Sequence, residues 1–346
     1  MPSAMSSNLP AATPIREWHN VDAEIFRTEI ATRYEPAILR GLVADWPAVA
    51  LAGEPPERTR DYLARFDSGV PVKAMVAPPE VDGRFFFTDD MSGFNFGRVE
   101  TRVTALATEL IANSGRPQKL AIYAGSLPIA RTLPGFEREN ALPLLRDKLA
   151  EPKIWIGGKT RIAAHYDEAD NVAAVVRGKR RFTLFPPSQV VNLYPGPIDN
   201  TVAGQPTSMV DLANPDFDKY PRFRDALANA RFADLEPGDA IFIPSLWWHH
   251  VQSEGDFNLL VNYWWSDAPP DAGSPLHALG HGILTIAHLP EPQREAWRAL
   301  FDHWVFKRGD DPAAHLPPAR QGIHGQSTPQ LRKVIRQFLV RMLQGR

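Results

Sequence analysis

Hydrophobic and polar positions follow two different periods along this chain, and the change of period divides it. Between Ile154 and Trp265 the apolar residues come in short runs or alternate with polar ones, the period-two signature of β-strands. Ile154–Ile156, Asn171–Val176, Ala240–Ile243 and Phe257–Trp264 read as strands, and Val175–Phe185 as two strands around a turn at Gly178. Pro186-Pro187 and Pro244 stop pairing, and Glu236-Pro237-Gly238-Asp239 is a turn. Short strands at this spacing predict a sandwich or a barrel.

The flanks are mixed. Val21–Arg33 reads as a short amphipathic helix, Pro36–Leu42 as a strand closed by glycine, and Glu57–Phe66 as a helix. Arg84–Phe87 is expected as an aromatic strand with a turn at Asp89-Asp90, Val99–Asn113 as a helix and Leu120–Ala124 as a strand. Pro128–Pro152 is rich in loop residues. After Pro269 the period becomes helical, over Leu276–Leu289, Gln293–Phe306 and Pro329–Leu343. In the last segment Leu331, Val334, Ile335, Phe338, Leu339, Met342 and Leu343 form one stripe, with Arg332, Lys333, Arg336 and Arg341 off it. Such a stripe suits packing within the chain or a helical dimer interface.

Composition narrows the chemistry. The 33 prolines in 346 residues argue for loops and short strands, and 44% hydrophobic content supplies a core. A net charge of −2 gives no general attraction to nucleic acid or an anionic membrane. With 0 cysteines, disulfides, iron–sulfur clusters and thiolate-bound zinc are excluded, so a metal must sit on histidine and carboxylate. The Ser/Ala/Pro-rich residues 1–14 read as a disordered tail and not a signal peptide. With no run of 18 apolar residues, a soluble cytoplasmic protein is expected.

Against that background, His165-Tyr166-Asp167 places an imidazole and a carboxylate at i and i+2, on one face of an extended chain. His249, in Trp247-Trp248-His249-His250, follows a strand stopped by Pro244 and can bring a second imidazole. Two histidines and one carboxylate form the facial triad of non-haem Fe(II) oxygenases; hydrogen-bonded core histidines give the same pattern. Arg180 alternates with Phe182 and Leu184 and so faces inward, where it needs an anion, an internal acid or an escape to the rim. Asn171 and Asn262 interrupt apolar strands, and buried amides need partners from a ligand or from backbone. His250 points the other way from His249, as structure or as a substrate contact.

These residues resemble a known family. His165-Tyr166-Asp167-Glu168, Asn171, Gly178-x-x-Arg181, Leu184-Phe185-Pro186-Pro187 and Leu193-Tyr194-Pro195 are similar to motifs of the cupin-like JmjC hydroxylases, the asparaginyl-hydroxylase branch in particular. Pro237-Gly238-Asp239, Ile243-Pro244, Trp247–His250 and Val261–Trp264 continue the match in order, and Pro36–Gly41 with Trp46-Pro47 resembles the opening strand.

The resemblance implies a double-stranded β-helix (jelly-roll) with N-terminal α/β elements and C-terminal helices. It implies a domain over 15–268, a core barrel at about 115–267, and a helical region over 269–346 similar to a dimerisation element, hence a homodimer. It implies Fe(II) on His165, Asp167 and His249 and 2-oxoglutarate as co-substrate, with Asn171 and Asn262 lining the pocket. The hydroxylated substrate would be a protein side chain or a small molecule, with no nucleic acid or membrane partner. Two departures stand out. Arg180, with Lys179 beside it, occupies the position of a co-substrate lysine, and Ile162 that of a threonine; Tyr123 is the expected replacement hydroxyl.

Overall fold

The computed structural model describes residues 13–344 apart from position 203. The chain divides into two compact units, one ending at Ser266 and one beginning at Asp267. The first carries twelve strands: β1 (Thr13–Pro14), β2 (Glu17–His19), β3 (Ala37–Arg40), β4 (Val72–Ala77), β5 (Gly97–Thr101), β6 (Ala121–Pro128), β7 (Glu151–Gly157), β8 (Thr160–His165), β9 (Asp170–Phe185), β10 (Arg231–Leu235), β11 (Ala240–Ile243) and β12 (Trp248–Trp265).

Two long strands organise the rest. β9 and β12 pair antiparallel from Trp248↔Phe185 to Trp265↔Asp170, with an irregularity between Glu254 and Leu259. That break separates two layers. The first halves of β9 and the last of β12 lie in the order β2-β3-β11-β9-β12-β7-β6-β4-β5, while β10 pairs the second half of β9 and β8 the first half of β12. Side chains of both layers meet inside: Ala173, Val175, Ile241 and Leu260 from one pack with Phe182, Leu184, Leu235 and Val251 from the other. Two layers sharing bent strands around one apolar core make a jelly-roll.

The outer faces are covered. Helices α1 (Pro56–Ala64) and α2 (Val103–Ser114) lay Leu63, Leu106 and Leu110 against Val172, Ile154, Val261 and their neighbours. On the other layer α3 (Phe223–Ala228) buries Phe223, Ala226 and Leu227 against Phe185 and Trp248. In the second unit α4 (Pro275–Thr285), α5 (Glu291–Trp304) and α6 (Pro329–Leu343) contain no buried residue. Among the described residues no helix is long and apolar enough to cross a membrane.

Several expectations need correction. Gly178 is not a turn between two strands but a bend at φ +79° inside one strand of sixteen residues, β9. Asn258 from the irregular part of β12 fills the space a side chain there would need, its Oδ1 lying 1.9 Å from where a Cβ would sit. Phe85 and Phe86 are not in a strand, and Phe87 makes only an isolated bridge to Phe94, because all three rings are buried in the core instead of alternating in and out. Residues 97–101 form β5 and the helix begins at Val103. The tail expected over 1–14 falls outside the described residues up to 12, whereas Thr13 and Pro14 pair with Arg231 and Phe232. The sheet also reaches back before residue 115, since β2 to β5 belong to it.

Candidate metal centre

His165 ends β8 and His249 is the second residue of β12, and the two are partners in the antiparallel pair. Asp167 follows in the short connection from β8 to β9. One donor atom from each of the three lies within 4.8 Å of the others, with His249 Nε2 3.6 Å from Asp167 Oδ2. It is the one group of three or more histidine and acidic side chains at metal-binding separation among the described residues.

The ring orientations are fixed by backbone. His165 Nδ1 is 2.9 Å from the carbonyl of Ala163, and His249 Nδ1 is 3.0 Å from that of Trp247. A carbonyl only accepts, so each Nδ1 carries the hydrogen and each Nε2 presents a lone pair toward the other donors. Burial, and then the neighbouring His165, hold the His249 pKa well below its ordinary value. His249 is therefore neutral near pH 7, the form that ligates a metal. Two imidazoles and a carboxylate on one side of a space fit a divalent cation with open positions.

The interior behind the triad holds a cation with no ion-pair partner among the described residues. Arg180 faces inward from β9, is 4% exposed, and its Nε has no hydrogen-bond partner among the described residues. Burial lowers its pKa to about 10, which leaves it charged at neutral pH. Tyr123, on β6, lies close enough to interact with it electrostatically, and burial pushes its phenol pKa up, so that it stays a neutral hydroxyl. A buried guanidinium without an acid is costly and fits a bound anion.

The other expected residues divide. Asn262 Nδ2 donates to Asn171 Oδ1 at 3.0 Å; both amides are buried, and Asn262 Oδ1 has no partner among the described residues. Ile162 packs on the interior wall with the clusters that hold Phe182 and Tyr123, so the wall is apolar at that point. Lys179 does not line the site: it is exposed and pairs with Glu236 at 2.5 Å, because alternation along β9 sends it outward beside inward Arg180. His250 is buried, its Nδ1 without a partner among the described residues, and Asp211 and Arg161 act on it electrostatically.

Three further residues shape the interior without a signal in the linear pattern. Trp155 stacks on Tyr123 at 5.9 Å and meets Trp264 edge-on at 5.8 Å. Its ring fits only because residue 125 is glycine, where a Cβ would sit 2.2 Å from it. Gly157 likewise leaves room for Tyr123, whose ring lies 2.9 Å from the Cβ that any other residue would add.

Comparison with known proteins agrees with this geometry. Lysine-specific demethylase JMJ31 of Arabidopsis thaliana is 29% identical over 271 residues, covering 69% of this chain and 47% of its own. The tRNA wybutosine-synthesizing protein 5 of Mus musculus is 31% identical over 179 residues, 47% of this chain and 52% of its own. Lysine-specific demethylase 8 of Xenopus tropicalis is 23% identical over 273 residues, 77% and 56% respectively. The chain spans about half the length of these curated relatives. Residues 22–271 match the family model described as a cupin-like domain, a span that contains the triad and Arg180, and the chain belongs to that family.

Proposed function

We propose that this protein is an Fe(II)- and 2-oxoglutarate-dependent hydroxylase. The observation that carries the reading is the meeting, in one jelly-roll interior, of the His165–Asp167–His249 donor set and a buried, acid-free Arg180. The relatives named as demethylases and as a wybutosine-synthesizing protein support it. Arg180 on the inward face also favours a dicarboxylate co-substrate over a metal enzyme that uses none.

Each residue then has a task. His165, Asp167 and His249 hold the metal on one side and leave the other side free. The Ala163 and Trp247 carbonyls keep both rings in the ligating tautomer. Arg180 binds the far carboxylate of the co-substrate and Tyr123 hydrogen-bonds it, in a wall where Ile162 offers no hydroxyl. Bound Fe(II) and 2-oxoglutarate supply the O2-dependent oxidation of a substrate C–H bond, with succinate and CO2 as co-products. The apolar wall of Phe182, Leu184 and Val251 keeps water out.

The substrate is a protein side chain or a small molecule, and the setting cytoplasmic. A homodimer through the second unit fits the exposed Leu279, Trp297, Leu300, Phe338 and Leu339. α6 carries Arg332, Lys333, Arg336 and Arg341 and no acid, while α5 carries Glu291, Glu295 and Asp302 together with Arg294 and Arg298. Sedimentation at several concentrations tests it; a monomer throughout overturns it.

Anaerobic titration with Fe(II) and 2-oxoglutarate, followed by O2 and succinate measurement, tests the enzyme reading. Succinate above an Asp167→Ala control supports it. Tight binding of both without turnover, across protein and metabolite extracts, would favour a non-catalytic cupin-fold binding protein.

A further inference from the structure

Beside His165, on the side away from His249, lies a residue to which the site described so far gives no role. Thr207 forms an isolated antiparallel bridge with His165, closed by the Ser208 amide donating to the Ala164 carbonyl at 2.7 Å. His165 pairs in turn with His249, and His249 with Leu184. Thr207, His165, His249 and Leu184 therefore form one row across four neighbouring chain segments. Residues directly opposite in antiparallel pairs carry their side chains on the same face, with Cβ atoms about 4.5–5.5 Å apart. Leu184 packs in the interior and both histidines aim at the metal position, so the Thr207 side chain stands on that same face.

Its hydroxyl is anomalous there. Thr207 is 6% exposed, and its Oγ1 is buried with no hydrogen-bond partner among the described residues. Burying a hydroxyl unsatisfied is costly, and buried hydroxyls are seldom left so. Gln205, two residues earlier, has a buried Oε1 in the same condition. Thr207 thus brings an unsatisfied oxygen up to the first ligand.

We propose that Thr207 is a positioning residue of the metal centre. Its hydroxyl hydrogen-bonds an oxygen ligand, water in the resting protein, held at a position that His165, Asp167 and His249 leave open. This rests on the reading of the triad as a metal site. The hydroxyl neither ligates nor reacts; it fixes where that oxygen sits.

Cobalt(II) provides a probe that needs no turnover, since its visible absorption strengthens as water ligands are lost. The full chain is titrated anaerobically with Co(II) as wild type, Thr207→Val, Thr207→Ser and Asp167→Ala, with circular dichroism as the check on folding. Thr207→Val, which keeps the shape and removes the hydroxyl, should bind Co(II) yet show a band severalfold stronger than wild type. Thr207→Ser should restore the wild-type band. A Thr207→Val spectrum identical to wild type overturns the proposal while leaving the metal centre intact. Equal, Asp167-independent spectra in all four proteins overturn the metal centre, and the Thr207 role with it. If the valine variant misfolds, the serine variant decides, since a purely steric role predicts a changed band there.

Discussion

His165 and His249 stand opposite each other on antiparallel strands, ring centroids 4.4 Å apart and planes inclined at 55°. Each is held by the backbone carbonyl two residues before it, Ala163 or Trp247, so that Nε2, not Nδ1, faces the common space. Two lone pairs and a carboxylate turned toward one another repel unless a cation lies between them. The arrangement is thus built for an occupant and destabilising without one.

Divalent metal should therefore stabilise the fold. A ligand that binds only the native state adds about 2.7 kcal/mol at a concentration a hundred times its Kd. Anaerobic Fe(II) or Mn(II) is expected to raise Tm by several degrees in wild type and to leave Asp167→Ala unmoved. Equal shifts in both proteins would place the metal elsewhere.

Acid should weaken the metal-free protein earlier than it would a chain with ordinary histidines. Burial holds His249 well below its usual pKa and His250 at about 3, so both stay neutral in the fold while the unfolded chain protonates near 6.5. Below that pH the unfolded state binds more protons, and stability falls as pH drops. Urea unfolding between pH 7.5 and 5 should show a loss of roughly 2 kcal/mol per imidazole, at about 1.4 kcal/mol per pH unit below 6.5. His250→Phe, which keeps a ring but removes the proton site, should lose its share of that slope. A flat profile in the parent would contradict it.

The sequence pattern reached the layers and the donor set because both rest on local rules. Period-two alternation marked β9, β11 and β12, and the i, i+2 spacing of His165 and Asp167 needs only an extended chain. It did not reach Gly178, where an ordinary turn glycine and a bend glycine look alike until Asn258 is seen to occupy the missing side chain's place. Nor did it reach Thr207 or Trp155, whose roles come from residues 42 positions upstream and 30 positions upstream respectively, His165 and Gly125. Lys179 was misplaced by proximity alone. Strand alternation already separates it from Arg180.

The Gly178 bend should be intolerant of a side chain. Gly178→Ala meets two penalties at once: a positive φ, costing about 1–2 kcal/mol, and a clash with Asn258, worth about 1–3 kcal/mol more. Chemical denaturation is expected to show a loss of about 2–5 kcal/mol. Gly178→Ala combined with Asn258→Gly should recover the clash and not the strain, and full recovery in the double variant would show that φ is not strained there.

Arg180 should separate binding from stability more cleanly than any other residue. It is enclosed and charged and has no acid partner among the described residues, so the fold bears its desolvation with no ion pair there in return. Replacing it with Met, of similar length and no charge, should leave the metal-free protein as stable as the parent or more so. The same change removes the charge-assisted hydrogen bonds proposed for the co-substrate, worth about 1.5–3 kcal/mol. That corresponds to a rise in 2-oxoglutarate Kd of at least about tenfold, each 1.4 kcal/mol being one decade. Arg180→Lys should recover part of the affinity, a point charge replacing a two-pronged one. Calorimetric titration of the Mn(II)-loaded proteins with 2-oxoglutarate reads the affinity, and urea unfolding reads the stability. If Arg180→Met destabilises the metal-free fold by several kcal/mol while 2-oxoglutarate still binds normally, the guanidinium is a structural group and the anion site lies elsewhere in the interior.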